Sequence, residues 1–158
     1  MVYDKYMIYA ENKKAYYDYE ILEKFEAGIE LKGYEAKAIT SGKVSLLDAY
    51  GIIRNNEVFI VNLNIPPYQP KNIRENYDPQ RTRRLLMKKS EIQSLIGKTQ
   101  TLTLIPLKIY NKKSKIKIEL GLARRKKKKD KREKIKKEED LRKIRKIQGG
   151  ASFDENLF

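Results

Sequence analysis

Between Arg124 and Ile147 the chain carries 15 basic and five acidic side chains but only four apolar ones, Ile135, Leu141, Ile144 and Ile147. A segment of that composition repels itself and holds too little apolar surface to offset the entropy of being ordered. Any packed core must therefore come from residues 1–123. Leu141, Ile144 and Ile147 recur at partly helical spacing, whereas Ile135 lies off a continuous stripe. Residues 124–158 are thus expected to form a basic C-terminal tail, disordered or partly helical alone and ordered by a partner.

The rest of the chain is far less charged. Residues 1–123 hold 21 basic and 14 acidic side chains, and the whole 158-residue chain has a formal net charge of +15. Its length fits one domain with one core. A concentrated positive block attracts a polyanion, because phosphate neutralisation releases counterions and relieves the repulsion. Nucleic acid is the first candidate partner, and an anionic membrane surface the second. No apolar run approaches the ~20 residues that span a bilayer, and Met1 to Ala10 is too polar for a signal peptide, so a cytoplasmic protein is expected. The chain contains neither Cys nor His. Disulfides, thiol chemistry, most zinc and haem sites and every His-based triad are excluded by inventory.

Within residues 1–123 the dominant periodicity is two. Tyr19, Ile21, Phe25, Ala27, Ile29 and Leu31 alternate with mainly polar neighbours, the pattern of a half-buried strand. Gly33 opens a short helix through Thr40, ended at Ser41 and Gly42. Strands are expected at Val44–Asp48, Tyr50–Arg54 and Glu57–Ile65, the last two joined by the turn pair Asn55–Asn56. Pro66 to Asn76, with three prolines, reads as a loop. Asp78–Pro79 resembles an N-cap followed by Pro at the first helical position and predicts a helix through Met87. Ser90 and Gln93 fit a capping box for a further helix that stops at Gly97. Thr101–Tyr110 and Lys115–Leu122 form the clearest hairpin, across a turn at Asn111–Ser114. About six strands and a few short helices predict a small antiparallel β-barrel of the OB type.

Three spaced segments carry a family resemblance. The first is Asn12, Lys13, Lys14, Ala15, Tyr16, Tyr17, Asp18 and Tyr19, followed by Glu23, Phe25, Glu26, Ala27, Gly28 and Ile29. The second is Asp78, Pro79, Arg81, Thr82, Arg83, Leu85 and Leu86. The third is Gly121, Leu122 and Ala123, then Asp130, Lys131, Arg132, Ile135 and Lys136. In this order and over residues 10–147, the chain resembles the SsrA-binding protein (SmpB) family. The resemblance implies an OB-like barrel that grips the tRNA-like end of transfer-messenger RNA, one copy per RNA. It also implies a tail that becomes helical in the mRNA channel beside the decoding centre of the small ribosomal subunit, so that the protein stands in for an anticodon arm. Tyr17 occupies a position where the family usually has His; Arg125, Glu138, Glu139 and Asp140 also depart from common family residues.

The resemblance nominates RNA-contacting residues. Glu26 lies on the polar face of its strand and is either a solvated carboxylate or part of the RNA site, where a carboxylate among cations can orient an Arg or Lys or accept from base amino groups and ribose hydroxyls. Asn12 and Tyr17 are expected at the RNA with Lys13 and Lys14, since unpaired bases stack on aromatic rings for ~1 to 3 kcal/mol each while lysines hold phosphates. Tyr19 is either core or RNA contact. Glu35 and Lys37 present either a solvated helix face or an RNA contact. Arg81, Arg83 and Arg84 are either basic helix surface or a phosphate clamp, and three guanidiniums in four residues favour the clamp. Lys126, Lys127, Lys128, Asp130, Lys131, Arg132, Ile135 and Lys136 are the expected ribosome contacts of the tail.

Asp48, Asp78 and Glu91 are available carboxylates, but no nucleophile with a base and no glycine-rich phosphate loop accompanies them. No catalytic residue, metal or cofactor is expected. A structural ribosomal protein with a basic extension remains the rival reading.

Overall fold

The computed structural model describes residues 7–68, 76–127 and 139. The chain divides into two units, Met1–Arg124 and Arg125–Phe158, of which the first holds the barrel. Its elements run in the order β1 (Met7–Glu11), α1 (Lys13–Asp18), β2 (Tyr19–Ile29), α2 (Gly33–Thr40), β3 (Tyr50–Arg54), β4 (Glu57–Val61), β5 (Arg83–Leu86), α3 (Lys89–Lys98), β6 (Thr103–Lys112) and β7 (Lys115–Arg125). The strands are ordered β1-β6-β3-β4-β5-β2-β7, and β6 also pairs with β7. That last pairing joins β6, β3, β4, β5, β2 and β7 into a closed six-stranded ring, the small barrel expected from the alternating sequence, and closure removes the edge-strand problem for its members. β1 adds a seventh strand along the upper part of β6.

A slip in β6 makes this possible. The β6–β7 register shifts between Pro106 and Lys108, so the inward parity changes from Leu104 to Ile109, both fully buried in the main core. Below the slip β6 meets β3 at Gly51↔Leu104; above it the same edge meets β1 from Lys108 to Asn111. On β7, which has no such slip, Ile118, Leu120 and Leu122 keep strict alternation and are all buried. Each such aliphatic side chain contributes about 1.5 to 3 kcal/mol on burial. At the crossing of β3 and β6, a Cβ on Gly51 would lie 2.8 Å from Leu104 Cβ, so only glycine admits this approach.

The main core is filled from the barrel strands, from Ala38 and Ile39 of α2, and from Ile92 and Leu95 of α3. A second, smaller cluster seats α1: Ala15 packs with Ile105, Leu107 and Ala123, flanked by Tyr19 and Ile21. The β6 slip anchors this helix as well, because the Asn12 backbone N–H donates to Leu107 O at 2.8 Å and its side-chain amide to Pro106 O at 3.0 Å.

Several expectations are corrected. The helix expected from Asp78 to Met87 is absent; Asp78 instead makes a turn, its carboxylate accepting from the Gln80 N–H at 2.9 Å, and the chain then extends into β5. There Arg83 and Leu85 point inward while Arg84 and Leu86 point out. This is a period-two strand whose inward polar member hid the alternation. Val44–Asp48 contributes only a bridge from Ser45 to Asn64, because Asp48 takes a left-handed φ of 64°. β4 stops at Val61, since Asn62 takes the same conformation, although Leu63 and Ile65 beyond it stay buried. α3 starts one residue before Ser90 and ends at Lys98, past Gly97; Glu91, not Gln93, reaches back to accept from the Lys88 N–H at 3.3 Å. Asn55 and Asn56, both with positive φ, form the expected tight turn. The β6–β7 turn is two residues, Lys113 and Ser114. β1 and α1 had no counterpart in the expected elements. Of the expected loop Pro66–Asn76, residues 69–75 lie outside the described residues.

Candidate nucleic-acid interface

Glu26, on β2, is held by two side chains of β6, the strand beyond β7. The Tyr110 hydroxyl donates to its Oε2, and Lys112 Nζ lies 3.3 Å from both carboxylate oxygens. Tyr110 is itself buried at 3% exposure, so the carboxylate is fixed from the protein side while its other face stays in solvent. The Tyr110 hydroxyl holds the Glu26 carboxyl below its ordinary value; burial opposes it, and Lys112 and Lys117 add to the lowering. The group is therefore a charged acceptor at neutral pH.

Glu26 lines a cleft of about 560 Å³ with Arg84, Leu86, Lys88, Lys89 and Lys117. Arg84, Lys88, Lys89 and Lys117 share this cleft with three carboxylates, Glu26, Glu57 and Glu91, and with an exposed apolar patch, since Leu86 is 48% exposed. Such a mixture has the chemistry an RNA segment calls for: lysines for phosphates, an apolar face at Leu86 for a base or sugar, and an acceptor at Glu26 for an N–H or O–H donor. Leu86, Lys88, Lys89 and Lys117 were not nominated from the sequence. They come from β5, from the N-cap and first residue of α3, and from β7, and only the strand order brings them to β2.

The α1 region offers a second polar and aromatic surface. Lys13, Lys14, Tyr16 and Tyr17 are exposed, and Lys24 Nζ lies 5.7 Å from the Tyr16 ring centroid. Tyr16 was not among the nominated residues, although a helix that buries Ala15 necessarily turns both following tyrosines outward. Two nominations change character. Asn12 uses its side chain in the fold, accepting from the Ala15 N–H at 3.2 Å while donating to Pro106 O. Tyr19 packs against the second core cluster.

The expected phosphate clamp is corrected more strongly. Glu35 and Arg83 are both fully buried. Arg83 Nε donates to Glu35 Oε2 at 2.8 Å, and Arg81 donates to the same carboxylate from Nε at 3.1 Å and from NH2. Glu35 also accepts from the Lys32 N–H at 2.9 Å, closing the first turn of α2. Burial pushes the Glu35 carboxyl up, but Arg81, the Lys32 N–H and Arg83 together bring it below its ordinary value. Tyr77 donates to Ile65 O at 2.6 Å, and burial raises its pKa, so it stays neutral. Glu35 is therefore neither a solvated helix residue nor an RNA contact, and Arg83 cannot meet a phosphate. Their three-way link fixes α2 to the segment that enters β5. Arg84 is exposed, but lies 3.6 Å from Glu30 and 3.8 Å from Glu57, which offset its charge. Lys37 is exposed on α2. Lys126 and Lys127 follow β7, with Lys127 exposed; Lys128, Asp130, Lys131, Arg132, Ile135 and Lys136 lie outside the described residues. No helix among the described residues is long and apolar enough to cross a membrane.

The family model described as SmpB protein matches residues 9–149. This chain belongs to the SmpB family. Among curated SmpB relatives, the SsrA-binding protein of Carboxydothermus hydrogenoformans is 53% identical over 141 residues, which cover 88% of this chain and 94% of that protein. The SsrA-binding protein of Acaryochloris marina is 48% identical over 151 residues, covering 94% and 98%. The barrel is similar to a solved SmpB chain described as "tmRNA-SmpB: a journey to the center of the bacterial ribosome", with a TM-score of 0.64 and 46% identity over 77% of this chain and 85% of that one.

Proposed function

We propose that this chain binds transfer-messenger RNA (tmRNA) and brings it to stalled ribosomes for trans-translation. The observation that carries the reading is the SmpB match along residues 9–149, with relatives named for binding SsrA aligned over almost their whole length. The rival reading, a permanent ribosomal protein, draws no support from those relatives.

In this reading residues 1–123 are the RNA-gripping barrel. The Glu26 cleft takes a folded part of the RNA: Lys88, Lys89 and Lys117 face its phosphates, and the fixed carboxylate selects bases or riboses that present hydrogen-bond donors. Lys13, Lys14 and Tyr17 add phosphate and stacking contacts. Residues 124–158 form a separate arm that folds on its partner, entering the small subunit near the decoding centre. Its density of cations supports an rRNA-lined groove as its site. The protein contributes binding and placement in the cytoplasm, and the bond-forming chemistry is the ribosome's.

The test is the RNA that co-purifies with the full chain from its native cell. The reading expects tmRNA, released steeply by salt with a log-log slope of about 0.7 to 0.9 per neutralised phosphate. Recovery of rRNA alone, in free subunits, would favour the ribosomal-protein reading instead.

A further inference from the structure

The Glu35 network contains two guanidiniums and one carboxylate, and the surplus charge is not shared equally. Arg83 is saturated. Its Nε donates to Glu35, NH1 to Leu63 O at 2.7 Å and Arg81 O at 3.1 Å, and NH2 to Pro79 O at 3.0 Å and the Tyr77 hydroxyl at 3.3 Å. All of its donor nitrogens are committed inside the protein, and it forms a balanced buried pair with Glu35. Arg81 differs. Of the five N–H donors of a guanidinium, its Nε and one on NH2 go to Glu35, and NH1 has no acceptor among the described residues. Its side chain is 28% exposed.

Because Glu35 is already matched by Arg83 and Tyr77 is neutral, the network carries one positive charge without a counter-charge among the described residues, and Arg81 presents it to solvent. No second carboxylate lies within ion-pair distance of Arg81 among the described residues. The side chain is also fixed in place. Its backbone N–H donates to Asp78 O at 3.2 Å, its carbonyl accepts from Arg83, and Glu35 clamps one edge of the guanidinium plane. A planar cation held along one edge offers the other to an anion, with little rotamer entropy left to lose on binding.

We propose that Arg81 is a preset binding site for one RNA backbone phosphate, with Glu35 as its positioning residue. The three neighbouring arginines then have different roles, in that Arg83 holds the fold, Arg84 is offset by its own acids, and Arg81 meets the ligand. The proposal rests on the RNA-binding reading above and adds a contact outside the Glu26 cleft.

The experiment is a salt titration of tmRNA binding by the full chain, compared with Arg81→Met and Arg81→Lys. Arg81→Met lowers the log-log slope by about 0.7 to 0.9 and weakens binding roughly tenfold at about 0.1 M salt. Arg81→Lys restores the slope but not the full affinity, because an ammonium cannot use the Glu35 clamp and a bidentate phosphate contact together. Both variants keep the buried Glu35–Arg83 pair. A wild-type slope and affinity for Arg81→Met overturns the proposal, whereas a wild-type chain that binds tmRNA no better than an unstructured RNA overturns the reading beneath it. Should Arg81→Met fail to fold, phenylglyoxal modification of the wild-type chain decides: tmRNA protects Arg81, and unchanged modification overturns the assignment.

Discussion

Arg83 NH2 lies 2.6 Å from Glu35 Oε2, with both side chains at zero exposure. A buried pair of this kind is costly to break from one side, because the remaining charge has neither water nor partner. Glu35→Gln or Arg83→Met is expected to lower the unfolding free energy by about 3 to 5 kcal/mol. Arg81→Met, at the exposed end of the same network, should cost under about 1 kcal/mol. Urea unfolding of the three variants checks the contrast, and equal losses would show that the network is not divided as described.

The same carboxylate sets a pH limit. Glu35 is held below its ordinary value of 4.5 in the folded state, so the unfolded chain binds its proton first as pH falls. Its contribution is fully present above about 4.5 and is lost as pH drops through the lower folded-state value. Acid unfolding in the wild type should therefore show a step below pH 4.5 that Glu35→Gln lacks. Denaturation midpoints measured between pH 3 and 7 read this directly, on the order of a unit in resolution.

Much of this architecture can be read from the chain, and the exceptions have physical causes. Ile116, Ile118, Leu120 and Leu122 announce β7 because one face is uniformly apolar and the other polar. β5 escapes the same reading, since its inward Arg83 looks like surface until Glu35, 48 residues earlier, is seen to accept from it. Pairing across such a distance has no local signal. Glu26 could be nominated from its motif, whereas Leu86 and Lys117 join it only through the order β5-β2-β7. The slip at Pro106–Lys108 is likewise invisible in periodicity, because either parity gives an apolar run.

Tyr110 and Glu26 give a prediction about recognition. Tyr110→Phe retains the buried ring but removes the hydroxyl that holds the carboxylate. The Glu26 carboxyl should then titrate closer to its ordinary value, measurable by NMR, and tmRNA affinity should fall. Glu26→Ala removes the acceptor itself and should weaken binding by about 1.5 to 3 kcal/mol, roughly ten- to a hundredfold in Kd. If Glu26→Ala binds like wild type, the cleft is not the RNA site.

Closure of the barrel gives another. An alanine at position 51 would press its Cβ to 2.8 Å from Leu104 Cβ, and neither backbone can yield without parting β3 from β6. Gly51→Ala is expected to cost about 1 to 3 kcal/mol, seen in urea unfolding, with tmRNA affinity unchanged at temperatures where the variant is folded.

The functional reading turns on a division of labour between barrel and arm, and removal of residues 130–158 separates the two. In a reconstituted stalled-translation reaction, the truncated chain should bind tmRNA with a Kd within about threefold of wild type, since less than about 1 kcal/mol is at stake, and should support no tagging of the nascent peptide. Tagging at the wild-type level by that chain, or loss of tmRNA binding along with the tail, would contradict the division.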